Sequence, residues 1–290
     1  MSPLRPLYPF LRVTTNAHHG KISKMTCLSK INCLSSNNTP DNQEKYLKFK
    51  DEISETTKFV NSEMVAEFGL HVMTPDMEVW NQPYDQVSEE FQSSFWHSSM
   101  PYWAIFWPGG QILSRYIIDY PNLVRNKRVV DIGAGSGAAS IASIISGCDS
   151  AIANDIDEMS LGATLLNAQA NNVLESEKLQ VNNYNYLQGN LDENARYLAN
   201  NADVLLVGDM YFDEEIGDKL SILLTKYVKC DNDADDKIRK RVLIGDPGRW
   251  YLRDKNKKRD KLKCVAKYEL SDEIKRHNYG LVQGVIYEIA

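Results

Sequence analysis

The chain lacks any apolar run close to the roughly 20 residues that a bilayer-spanning helix requires, so no membrane partner is expected. Histidine and cysteine are scarce, five of each in 290 residues. Cys27, Cys33, Cys148, Cys230 and Cys264 have no paired spacing and the histidines cluster only as His18 and His19, which leaves neither a disulfide framework nor a metal site to expect. Residues 1–40 contain no acid, while Arg5, Arg12, Lys21, Lys24 and Lys30 stand among Ser, Thr and Asn. That composition marks a mitochondrial transit segment; the alternative is a tail with no address. No apolar run of ten or more follows the first arginines, so it is not a secretory signal. Because the tail is basic and the whole chain carries −6, the remainder is more acidic than the total suggests. An acidic body argues against a general nucleic-acid binder, whose Lys and Arg must neutralise phosphates.

What the chain does have is an apolar strand running through an acid into glycines. Residues 129–137 read Val-Val-Asp-Ile-Gly-Ala-Gly-Ser-Gly. Gly133, Gly135 and Gly137 permit positive φ and let a backbone approach a ligand that any Cβ would push away. The loop opens onto a helical pattern whose first N–H groups would face that ligand. The spacing also satisfies the relaxed dinucleotide fingerprint, so a nicotinamide-binding unit competes with a methyl-donor site. Asp131 favours the donor, because a carboxylate attracts the ammonium and sulfonium of S-adenosylmethionine and repels a pyrophosphate. Asp155, about twenty residues past the loop, is placed to grip a ribose diol in either reading.

With 43% hydrophobic residues the length supports one large core. We expect a transit segment over 1–44, an N-terminal extension packing on the core over 45–110 and a catalytic domain over 111–290. Phe59, Val60, Met64, Val65 and Phe68 suggest a helix over 45–69, followed by an irregular strand over 70–80. Aromatics crowd 87–107, and Pro108-Gly109-Gly110 reads as a break before a short helix over 111–119. A βα rhythm follows: strands over 128–132, 150–155, 178–182, 204–208 and 241–244 alternate with helices over 138–146, 160–172, 192–200 and 213–228. Two further β-like runs, 264–270 and 281–289, fit an antiparallel pair. The expectation is an α/β fold with a mostly parallel seven-stranded sheet and helices on both faces. Ligands then sit beyond the strand C-termini, where Asp131, Asp155 and Asp209 all fall. The acidic tract 231–236 reads as a solvated loop, and the basic tract 253–263 as exposed surface, with a docking patch for an acidic partner as the alternative.

Asp209 is the candidate for chemistry. In the run Gly208-Asp-Met-Tyr-Phe-Asp213 it could accept a hydrogen bond from an attacking amine and stabilise the charge that develops there. Tyr211 or Phe212, with Trp103 or Trp107, could wall a cation-tolerant slot. The alternative for Asp209 is an N-cap of the next helix, for which Asp213 is better placed, before Glu214 and Glu215. A second loop, Gly245-Asp-Pro-Gly-Arg249, should lie beside it, either as part of the site or as an ordinary turn.

These pieces, with Pro101-Tyr-Trp-Ala-Ile-Phe-Trp-Pro-Gly-Gly110 and Ala153-Asn-Asp-Ile-Asp157, carry a resemblance to the seven-β-strand protein lysine methyltransferases over residues 70–250. It implies a Rossmann-like class I methyltransferase fold, S-adenosylmethionine as donor and a protein lysine as acceptor. Within the family the likeness to a mitochondrial branch implies a matrix enzyme acting on the electron transfer flavoprotein beta subunit. Another protein, a small molecule or a non-catalytic binding role are the alternatives. Carried over by position, Trp107, Asp131, Gly133, Ala134, Gly135, Gly137, Asp155 and Asp209 would contact the donor. Asp209, Tyr211 and Phe212 would form the family's Asp-x-x-aromatic motif, with Phe212 in place of a frequent Tyr.

Overall fold

A computed structural model describes residues 45–77, 80, 101–174, 177–230, 240–254, 262–277 and 281–289. Residues 1–44, expected as a transit segment, lie outside the described residues, as do the acidic tract, the greater part of the basic tract and the aromatics Phe91, Phe95 and Trp96.

The organising element is a seven-stranded sheet. Five parallel strands, β3 (Arg128–Ile132), β4 (Ser150–Asn154), β5 (Leu179–Asn182), β6 (Val204–Gly208) and β7 (Arg241–Asp246), are joined by an antiparallel pair, β8 (Leu262–Glu269) and β9 (Gln283–Ile289). The spatial order is β5-β4-β3-β6-β7-β9-β8. The order in which successive strands are added reverses between the parallel neighbours β3 and β6, which opens a crevice at their C-terminal ends.

The alternation of strand side chains explains the two cores. Val129, Ala151, Ala153, Val204 and Leu206 face one layer, against α2 (Pro108–Asp119), α3 (Ala138–Ile145) and α4 (Glu158–Ala170). Val130, Ile132, Leu205, Val207 and Ile244 face the other, against α5 (Leu191–Asn201) and α6 (Glu214–Lys229). Two short helices the sequence reading missed, α7 (Trp250–Arg253) and α8 (Asp272–His277), follow β7 and β8.

The stretch expected as a helix over 45–69 is different. Helix α1 (Lys50–Thr56) stops after two turns, and the chain enters an antiparallel hairpin, β1 (Lys58–Asn61) with β2 (Gly69–Val72). Two β-branched threonines, Thr56 and Thr57, end the helix. On the other edge of the hairpin, α4 and its C-cap residue satisfy the backbone through side-chain amides: Gly69 N donates to Asn171 Oδ1 at 3.0 Å and His71 N to Asn167 Oδ1 at 2.7 Å. Tertiary partners of this kind, nearly a hundred residues away, override a local helical pattern. The irregular strand expected over 70–80 shortens accordingly to β2. The predicted break at Pro108-Gly109-Gly110 is instead the first turn of α2, with Pro108 at a position where its missing N–H costs nothing.

Candidate active site

The glycine loop after β3 takes the conformation its sequence requires. Gly133, Gly135 and Gly137 have φ of 70°, 54° and 83°. A Cβ on Gly133 would collide with Met210 Sδ, and one on Gly137 would lie 2.7 Å from Thr164 Cγ2. A Cβ on Gly135 would meet only Trp103 Cα, at 3.7 Å, so this residue fronts open space. The backbone is held from below by a polar stripe on α4. Ser160 Oγ and Thr164 Oγ1 donate to Gly135 O at 2.7 and 3.1 Å, and Asn167 Nδ2 donates to Ser136 O at 2.9 Å. Their spacing at i, i+4 and i+7 puts them on one helix face, a pattern legible in the sequence. Gly133 N and Ala134 N donate to Asn154 O, tying the loop to the end of β4.

Asp131 does not face the crevice directly. It is 2% exposed, and its Oδ2 accepts from Ser140 N at 3.1 Å and Ser140 Oγ at 2.9 Å, bracing the first turn of α3. Burial pushes its pKa up to about 7, with the Asp155 charge adding to the rise. Asp155 closes the cradle: its oxygens accept from Gly135 N at 2.9 Å and Asp157 N at 3.1 Å. Burial raises its pKa, and those backbone bonds oppose the rise. Ile156 beside it is 66% exposed, an apolar surface next to the cradle. An open-fronted glycine, an acid at the end of β4 and an exposed apolar side chain fit the ribose and base of an adenosyl ligand.

The second half of the site lies beyond β6 and β7. Asp209 has φ 60°, a left-handed conformation uncommon outside glycine. Its Oδ2 accepts from Gly109 N in the first turn of α2 at 2.9 Å, and its Oδ1 accepts from Arg249 Nε at 2.6 Å. The carboxylate therefore caps α2 from a distance and does not cap α6, whose N-cap is Asp213, accepting from Ile216 N. The Arg249 guanidinium carbon lies 5.5 Å from the Trp107 ring centroid. Trp107 Nε1 donates to Tyr102 O at 2.8 Å, and the Tyr102 ring stacks on Phe212 with centroids 6.3 Å apart. Tyr102 and Phe212 are both exposed, so an aromatic rim runs from the arginine that pairs with the buried acid, through Trp107 and Tyr102, to Phe212.

Two aromatics named from the sequence point elsewhere. Tyr211 is buried against Tyr251, with rings 5.3 Å apart, in the core under α6. Trp103 is buried with Phe49, Ile53 and Ala163. Tyr102, Gly109 and Arg249 were not singled out, although the last belongs to the Gly-Asp-Pro-Gly-Arg loop. Among the described residues no cluster of three or more potential metal ligands occurs, and no helix is long and apolar enough to cross a membrane.

Numbered by chain position within the sheet, the strand order is 3-2-1-4-5-7-6, with the glycine cradle at the first strand and the acid site at the fourth and fifth. Sheet and site together define a class I S-adenosylmethionine-dependent methyltransferase. A family profile described as ribosomal protein L11 methyltransferase (PrmA) matches residues 115–207. The electron transfer flavoprotein beta subunit lysine methyltransferase of Danio rerio is 34% identical over 239 residues, 82% of each chain. The protein of that description from Homo sapiens is also 34% identical, over 82% of this chain and 80% of its own. The crystal structure of ribosomal protein L11 methylase from Lactobacillus delbrueckii subsp. bulgaricus superposes with a TM-score of 0.36 at 17% identity, covering 60% of this chain and 75% of that one. The chain belongs to the electron transfer flavoprotein beta subunit lysine methyltransferase family. Membership decides between the two ligands the glycine spacing left open, in favour of the methyl donor.

Proposed function

We propose that the protein methylates lysine of the electron transfer flavoprotein beta subunit in the mitochondrial matrix, using residues 1–44 as its transit segment. The observation that carries the reading is Asp209, a buried carboxylate beneath an aromatic rim, one strand from the glycine cradle. Bound S-adenosylmethionine supplies a methyl carbon on a sulfonium, whose departure leaves a neutral thioether. The backbone of Gly133, Ala134, Gly135 and Gly137 would hold the donor, Asp155 would take its ribose hydroxyls and Trp107 would contact it. Asp131 supports this cradle through Ser140.

The remaining work is done at the acceptor. A lysine stem passes alongside the stacked pair of Tyr102 and Phe212, whose exposed ring surfaces tolerate a cation. The unprotonated amine uses its lone pair to form the N–C bond as the C–S bond breaks, and the resulting ammonium then loses a proton to solvent. Asp209 accepts a hydrogen bond from the amine and stabilises the positive charge as it develops, an interaction stronger in the transition state than in the ground state. Tyr211, buried on Tyr251, supports this motif from behind.

Incubating the purified protein with the flavoprotein beta subunit and S-adenosylmethionine, followed by peptide mass spectrometry, tests the substrate. Methyl increments on lysine are expected. Unmodified subunit in the presence of bound donor would reject this acceptor. Loss of mitochondrial import on deleting residues 1–44 checks the address.

A further inference from the structure

The Asp209 site has a second acid. Asp246 ends β7 beside it: Gly208 and Gly245 are register partners, and Asp209 N donates to Gly245 O at 2.9 Å. Asp246 Oδ1 accepts from Gly248 N at 2.7 Å and Arg249 N at 2.8 Å. These bonds close the Asp-Pro-Gly-Arg turn, with Gly248 at φ 94°, and deliver Arg249 to Asp209. Asp246 Oδ2 is buried and has no hydrogen-bond partner among the described residues.

A turn of this kind needs one acceptor oxygen. Asparagine supplies it equally well and buries no charge. The turn therefore explains Oδ1 and leaves the carboxylate unexplained, since a buried, unpaired charged oxygen destabilises the fold that contains it. The charge count suggests what it does: two acids stand against the single guanidinium of Arg249.

We infer that Asp246 is a positioning residue of the acceptor site, which sets Arg249 on Asp209 and leaves the group with one net negative charge behind the amine. With Asp246 neutral, Arg249 would cancel Asp209; with Asp246 charged, the acceptor nitrogen meets a negative field as its own positive charge forms. The inference rests on the reading of Asp209 as the group that orients the amine. Burial, and next the Asp209 charge, push the pKa of Asp246 up to about 7, so the extra charge is present above neutrality and lost below it. The titratable groups that face it are Asp209 and Tyr211 beyond β6 and Arg249 in its own turn. Its register partner on β9, Val285, and the Pro-Gly-Gly start of α2 bring no charge.

The test is Asp246→Asn in the full chain, read by thermal melting, calorimetric titration with S-adenosylmethionine, and kinetics on the flavoprotein beta subunit across neutral pH. We expect a melting temperature at or above that of the wild type and donor affinity within about twofold. We expect the wild type to show a step in kcat near pH 7, and the variant to lose that step and about tenfold or more in kcat. Wild-type turnover with the step retained would overturn the inference, and so would a variant that melts lower or fails to fold, because the carboxylate would then serve the fold. Asp209→Asn in the same assay separates the two ideas. If that variant is active, the reading of Asp209 fails; if it is inactive while Asp246→Asn is normal, only the present inference fails.

Discussion

Asp209 combines three features that rarely coincide in a residue kept only for stability: burial, an ion pair with Arg249 and a positive φ. Backbone strain of this type costs about 1–3 kcal/mol and persists where the surroundings over-determine it. Asparagine tolerates the left-handed region and keeps the shape of the side chain, so Asp209→Asn isolates the charge. Donor affinity should stay within a few fold while turnover falls by about two orders of magnitude. Titration calorimetry beside a methylation assay reads both, and near-normal turnover would reduce Asp209 to a bracket for α2. The acid itself was legible in the sequence because it follows an apolar strand at the right end. Its partners were not: Arg249 lies 40 residues further on and Gly109 lies 100 residues before it, and no local pattern links them. Tyr211 and Phe212 show the same limit. Adjacent aromatics look equivalent in a sequence, yet one is 1% exposed and the other 44%.

At the level of elements, the βα units were legible because β-branched and leucine-rich runs alternate with capped helices. Asn190 accepts from Asp192 N and Glu193 N at the start of α5, and Asp157 from Met159 N at the start of α4. The start of α2 was misread because glycines usually interrupt helices, whereas here they permit a backbone-to-backbone contact. A Cβ on Gly109 would collide with Gly245 O and lie 2.7 Å from Asp209 N, and one on Gly208 would lie 3.1 Å from Gly110 Cα. Gly109→Ala therefore sets two effects against each other. Alanine gains about 1 kcal/mol of helix propensity, and overpacking costs typically about 1–3 kcal/mol. Because the clash is with backbone rather than with a mobile side chain, overpacking should win. The variant should melt several degrees lower and lose activity as the Gly109–Asp209 bond opens, and unchanged melting would show that the joint has slack.

Across the whole molecule, stability should depend on pH in a direction opposite to that of most enzymes. The folded state holds both Asp131 and Asp246 up to about 7, against an ordinary carboxylate value of 3.8. Their contribution is complete below about 3.8 and is lost as pH rises through about 7, because the unfolded chain then releases protons that the folded chain retains. Asp203 acts in the other sense: burial works to raise its pKa, but its bonds to Arg128 outweigh that and hold it at about 2. Its contribution is present above about 3.8 and is lost only as pH falls through about 2. The melting temperature should consequently fall between mildly acidic and mildly alkaline buffer, and Asp131→Asn should flatten that slope. A melting temperature that rises over the same interval would contradict the assignment of either acid. None of these shifts could be read from the sequence, since each arises from what the fold packs around the carboxylate.

Strand β6 is fastened at both ends. At its start Asp203 receives Arg128 of β3 at 2.8 Å and Lys240, just before β7, at 3.5 Å, and at its end Asp209 is tied to Arg249 and to α2. Between these anchors Leu205, Leu206 and Val207 are fully buried in the middle of the sheet. Fraying can begin from neither end, so their amides have no partial opening through which to meet solvent. In deuterated buffer they should be the last in the molecule to exchange, at a rate that tracks complete unfolding, while amides of β8, at the sheet edge with side chains largely accessible, exchange far sooner. The strand that presents Asp209 would then be the one whose protons keep time for the whole protein.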